Sequence, residues 1–231
     1  MAADEIDYRI VGDDMQAVVV TLDEGESVRA EAGAMLYMTD TIEMETSAEG
    51  GLLSGLKRAF TSESFFVTNF NCNGPQGQVA LAAPYPGKIV PLDLAETGNM
   101  LCQKDAYLCS ASGIELDVAF TKKMGAGFFG GEGFVLQSLQ GDGTAFVHVG
   151  GSVMKMELEA GQDIRMDVGA LAAFDEGMDY DIEYVGGIKT ALFGGEGMFF
   201  ATLSGPGTVY VQSLPFPDLV DRISRSMPNK S

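Results

Sequence analysis

Three stretches of this chain spell the same β-unit, and that repetition restricts the fold more than any other property. Gly130-Gly131-Glu132-Gly133-Phe134 is followed by Gly141-Asp142-Gly143 and then Ala145-Phe146-Val147. Gly194-Gly195-Glu196-Gly197-Met198 is followed by Gly205-Pro206-Gly207 and then Val209-Tyr210-Val211, a constant offset of 64 residues. A diverged copy stands upstream as Ser62-Glu63-Ser64-Phe65, then Gly74, Gly77 and Val79-Ala80-Leu81. The other half repeats too. Leu22, Leu94 and Leu158 each precede a small residue by twelve positions, namely Ala34, Ala106 and Ala170. The tripeptides Thr41-Ile42-Glu43, Gly113-Ile114-Glu115 and Gly177-Met178-Asp179 then follow in step. A fixed period of this kind marks units that bury their apolar faces against one another. The spacing places the units at 16–87, 88–152 and 153–214 of a single body, with a preface at 1–15 and a tail at 215–231.

Within each unit the apolar runs are β-branched and aromatic, as in Gln16–Leu22, Phe65–Phe70 and Ala145–Val149, which predicts strands. Gln-Gly-Asp-Gly at 140–143 and Ser-Gly-Pro-Gly at 204–207 are hairpin or turn signals. No segment before residue 215 carries a long helical period, so the expectation is an all-β protein. The tail differs. Pro217 and Asp218 suit a first helical turn, Leu219, Val220, Ile223 and Met227 give an apolar face, and Arg222 and Arg225 suit the C-terminal half. This short helix is expected to pack on the β-body or on a neighbouring subunit.

Charge narrows the partners. Thirty-three acids against fourteen bases leave a net charge of −19 over 231 residues, which repels the phosphates that nucleic-acid binding must neutralise. Cys72, Cys102 and Cys109 are odd in number and lack CxxC spacing, so buried free thiols are expected rather than a disulfide framework or zinc site. The opening Met-Ala-Ala-Asp-Glu-Ile-Asp has no apolar core, and no apolar run approaches the ~20 residues of a membrane span. A cytoplasmic protein, at most peripheral on a membrane, is the expectation.

No residue set forms catalytic machinery, and no cofactor is expected. Gly125-Ala126-Gly127-Phe128-Phe129-Gly130 matches GxGxxG but is followed by more glycine and a strand, where a dinucleotide loop needs a helix. His148 stands alone, without a nucleophile or ligand motif, and reads as structural. Two acid sets recur, Glu43, Glu115 and Asp179, and Glu63, Glu132 and Glu196. Closure of the three units about an axis would turn each set into a ring able to hold a hard cation. Glu63, Glu132 and Glu196 are therefore the metal candidates. Converging like charges are costly, so the favoured reading is a carboxylate accepting N–H bonds within its own turn. Bases and aromatics surround the second set: Lys57-Arg58 with Phe60, Phe65 and Phe66, Lys122-Lys123 with Phe128, Phe129 and Phe134, and Lys189 with Phe193, Phe199 and Phe200. They read as core filling, with contact to anionic lipid or a partner protein as the alternative.

Ser54–Phe70 (SGLKRAFTSESFFVTNF), Ala83–Leu94 (APYPGKIVPLDL) and the repeated FGGEG turns together resemble the altered-inheritance-of-mitochondria family, a domain of unknown function in its bacterial and archaeal members. The resemblance spans nearly the whole chain. It implies three β-sandwich or short jelly-roll units, like the tryptophan RNA-binding attenuation protein, about a pseudo-threefold axis. It also implies no known enzymatic activity, and the mitochondrial members are associated with inner-membrane architecture. The expected function is a non-enzymatic scaffold or interaction protein that self-associates, with a protein partner or peripheral membrane contact. The alternative is a module binding a small ligand or divalent cation through the repeated acids.

Overall fold

A computed structural model describes residues 2–48, 66–122, 133–184 and 199–227, and almost every apolar run in them is a strand. The first part of the chain forms β1 (Asp7–Val11), β2 (Ala17–Asp23), β3 (Ser27–Glu31), β4 (Met35–Met38), β5 (Ile42–Ala48), β6 (Phe66–Cys72) and β7 (Gln76–Leu81). Next come β8 (Gly87–Asp93), β9 (Met100–Gln103), β10 (Tyr107–Ala111), β11 (Glu115–Lys122), β12 (Phe134–Gln140) and β13 (Thr144–Gly150). The last six are β14 (Val153–Leu158), β15 (Asp163–Asp167), β16 (Leu171–Asp175), β17 (Asp179–Tyr184), β18 (Phe199–Ser204) and β19 (Gly207–Gln212). A helix, Phe216–Ser226, closes the described chain, with proline in its first turn and Arg225 in its last. Before residue 215 the described strands are interrupted only by short helical turns, Leu94–Thr97, Lys104–Ala106 and Val168–Ala170, none long enough to carry a helical period; Asp93 caps the first by accepting from the Ala95 N–H at 3.0 Å.

Pairing follows one rule three times. β7 runs between β2 and β4, β13 between β8 and β10, and β19 between β14 and β16. In the other set, β6 runs between β5 and β3, β12 between β11 and β9, and β18 between β17 and β15. The two sets of a unit face each other across an apolar core, filled in the first by Val20, Leu22, Val28, Phe70 and Val79. Each sandwich is too small to seal itself, and its edge strands are used to reach the neighbour. β3 pairs with β10 to make one six-stranded sheet, and β9 pairs with β16 to make a second. Every buried apolar face thereby gains cover that a lone unit lacks.

Registers are reproduced as well. A bulge falls between Met35 and Tyr37 in β4, between Tyr107 and Cys109 in β10, and between Leu171 and Ala173 in β16. Tyr37, Cys109 and Ala173 therefore occupy one equivalent position. At the junctions, Cys109 lies opposite Ala30 and Ala173 opposite Cys102, again equivalent pairs. The N-terminal preface stitches the first junction: Asp4 N–H donates to the Ser112 carbonyl at 2.9 Å, and Asp4 Oδ2 accepts from the Ser27 N–H at 2.9 Å.

Candidate interaction surface

The repeated tripeptides lie in one tight turn, made three times. Ile42 N–H donates to the Thr39 carbonyl, Ile114 N–H to Ala111 and Met178 N–H to Asp175, at 3.1, 3.4 and 3.1 Å. The central side chains Ile42, Ile114 and Met178 are buried plugs, while Glu43, Glu115 and Asp179 point to solvent. Glu43 accepts from Asn73 Nδ2 at 2.6 Å, a contact within its own unit. Among the described residues no three of His, Cys, Asp and Glu gather to hold a metal ion. Glu63, Glu132 and Glu196 lie outside the described residues, as do Gly125–Gly130, Lys57, Arg58 and Lys189. Lys122 donates to the Ile182 carbonyl, so this base ties β11 to β17.

His148 is 1% exposed, on β13 opposite Ile89, and its ring meets Tyr85 edge-on at 4.4 Å. Burial pulls it down to about 4, against the opposing effect of a hydrogen bond with the Tyr85 backbone. It is neutral at ordinary pH and packed as a flat apolar plate. Burial likewise raises the thiols of Cys102 and Cys109, which leaves them protonated and unreactive. At the end of β3, burial and then the Asp105 charge push Glu31 up to about 7, with Lys104 pulling the other way. Glu31 still meets solvent, so screening blunts this shift.

Polar groups that sequence reasoning did not single out hold the second junction. Gln212 Oε1 accepts from the Gly150 N–H at 3.0 Å, and its Nε2 donates to the Gly169 carbonyl at 2.8 Å and to Gln103 Oε1 at 3.1 Å. Glu176 accepts from Ser138 and Gln140 through one oxygen and from Asn99 through the other, all at 3.0 Å. Gln212 is buried and Glu176 half-buried, and side chains with their hydrogen bonds used in this way fix how two units sit. Lining up the three units would have flagged them, since Gln212 stands where the second unit has His148.

The surface that stands out is what the junctions leave over. β10 and β16 are buried along almost their whole length by their neighbours, but among the described residues β4 has no strand on its outer edge. Met35, Leu36, Tyr37 and Met38 are 36, 60, 46 and 37% exposed. At the other end of the array β15, the counterpart of β3 and β9, also pairs on one side alone among the described strands. A second apolar stripe runs along the C-terminal helix, where Phe216 leans on Tyr85 at 4.9 Å and Val220, Ile223 and Met227 stay exposed. The helix touches the body through its first turn, and the rest of its apolar face is uncovered by any described residue.

A family model for mitochondrial biogenesis AIM24 proteins matches residues 8–214 of this chain. The chain belongs to the AIM24 family. An uncharacterized protein from Streptococcus pyogenes serotype M6 is 30% identical over 222 residues, 93% of this chain and 88% of that protein. The X-ray crystal structure of a Streptococcus pyogenes protein superimposes with a TM-score of 0.79 at 27% identity, covering 96% of this chain and 100% of that one. The AIM24 architecture here is thus all-β, in antiparallel sheets with a short C-terminal helix. No described helix is long and apolar enough to cross a membrane.

Proposed function

We propose that this AIM24 protein is a non-enzymatic scaffold that works through open surfaces on a rigid β-body. The exposed run Met35-Leu36-Tyr37-Met38 on an unpaired sheet edge carries the reading. Soluble proteins blunt a free edge with charge, proline or a covering loop, because bare N–H and C=O groups recruit further strands. This edge is apolar instead, which fits a site that meets another protein surface. The only histidine supports the same reading, since its ring is enclosed and serves packing. The stripe of Phe216, Val220, Ile223 and Met227 offers a second contact, to a partner or to a membrane surface from the cytoplasmic side.

A thermal-shift panel of metal ions and small metabolites, run beside native mass spectrometry, tests this. The expected result is an unchanged Tm across the panel together with protein assemblies in the spectrum. A Tm that climbs with the concentration of one small ligand would replace the scaffold reading with a binding module. Co-sedimentation with neutral and anionic vesicles, with and without residues 215–231, tests the membrane contact. Equal recovery of both forms removes the helix from it.

A further inference from the structure

Both internal junctions are built from the same parts in the same register, and one more set of those parts stands unused at the two ends of the array. β4 is the counterpart of β10 and β16, and β15 is the counterpart of β3 and β9. We infer that a second copy of this chain completes the third junction, its β15 pairing antiparallel along β4 with Met166 opposite Tyr37 and Arg165 opposite Met38. This rests on the scaffold reading and names the partner.

Several details of the internal junctions carry over position by position. The Ser112 N–H donates to the Ser27 carbonyl at 3.0 Å, and the Glu176 N–H to the Asn99 carbonyl at 3.0 Å. The equivalent donor at the open end is the Asp40 N–H, and the equivalent acceptor is the Asp163 carbonyl of the second copy. Arg29 crosses the first junction to donate to the carbonyl of Ile114, in the turn that precedes β11. The second junction has Leu101 at that position, but β15 again has arginine, Arg165. Its acceptor in the second copy would be the Ile42 carbonyl, and the turn bearing it is already formed. In a single copy Arg165 pairs with Glu183 at 3.1 Å and lies over the Phe200 ring at 5.0 Å, both near the surface and cheap to exchange.

Side-chain size fits the difference between tethered and separate partners. The internal pairs are small, Cys109 with Ala30 and Ala173 with Cys102. Units joined by a chain lose little freedom on docking, but separate molecules lose a great deal and need more apolar area to offset it. Tyr37 and Met166 supply that area. Charge works the other way: each copy carries −19, and Asp40 would stand near Asp163, so contact strengthens as salt screens them. A head-to-tail contact uses different surfaces on the two copies, and repeats into a ring or filament.

Register is the decisive observable. Directly opposed residues on antiparallel strands have Cα atoms about 4.5–5.5 Å apart, inside the range a disulfide spans. A Met166→Cys protein is mixed with a Tyr37→Cys protein at high ionic strength under oxidised glutathione, and with a Met38→Cys protein as the control. The expected result is a cross-linked pair from the first mixture and little from the second, whose side chains leave opposite faces. Leu36→Asp and Arg165→Glu proteins, checked for unchanged melting, should each lose self-association in sedimentation but form a one-to-one pair when mixed. A wild-type chain that stays monomeric at every concentration and does not cross-link overturns the inference. So does self-association that both variants leave intact, although that outcome preserves the scaffold reading with its contact elsewhere. Stabilisation by a small ligand without any self-association removes both.

Discussion

Leu108 and Leu36 are the same residue at the same place in two units, and they live in different solvents. Leu108, in β10, is 0% exposed because β3 and β13 flank its strand and packed side chains cover it. Leu36, in β4, is 60% exposed because no described strand pairs along the outer edge of β4. An identical backbone slot is thus core or surface according to its position in the array. What a strand contributes here is decided by its neighbour more than by its own residues.

Truncating the two leucines gives the largest expected contrast. Leu108→Ala should cost about 2–5 kcal/mol, the loss of buried methyl groups plus the cavity left behind. Leu36→Ala should change the unfolding free energy of the single chain by less than about 0.5 kcal/mol. Urea unfolding at low protein concentration measures both, and equal losses would break the comparison.

Acid should act next, through a position the units fill differently. His148 is held down to about 4 in the folded state, against 6.5 when free. Between those values the unfolded chain binds a proton that the folded chain refuses. Stability is therefore intact above pH 6.5 and falls as pH drops towards 4, by about 3 kcal/mol from this residue. His148→Gln copies the residue at the equivalent slot, Gln212, and should flatten that part of the profile. An unchanged difference between pH 7 and pH 4.5 would mean the imidazole is not the sensor.

Gln212→Ala probes the second junction. It leaves the Gly150 N–H and the Gly169 carbonyl without partners, and should cost about 1–3 kcal/mol in the same unfolding assay. A neutral result would mean the junction is held by its strands alone. The smallest effect belongs to the helix surface. Arg225 and Asp221 pair at 2.7 Å but both stay exposed, so Arg225→Ala should shift stability by about 0.5 kcal/mol or less.

Strand content and the C-terminal helix were legible because both are local. Alternating or β-branched runs need only their own residues, and the turns at 140–143 and 204–207 stand where expected, but each carries the chain from one sheet of its sandwich to the other, β12 to β13 and β18 to β19, and closes no hairpin. Junction pairing was not legible. Ala30 and Cys109 meet across the first junction although they are far apart in sequence, and no periodicity within either strand encodes that choice. Met35-Leu36-Tyr37-Met38 illustrates the limit well: a continuous apolar run signals a buried strand, and here it signals an uncovered edge. The repeated acids drew attention through charge, but in the turns at Ile42, Ile114 and Met178 the structure uses the apolar residue beside them.

Sheets that straddle two units also govern the order in which this chain can mature on the ribosome. β3 is made early, yet the strand that covers its edge ends only at Ala111, and β9 waits likewise for β16, which ends at Asp175. Synthesis therefore carries a bare edge forward, closing one and exposing another with each unit delivered.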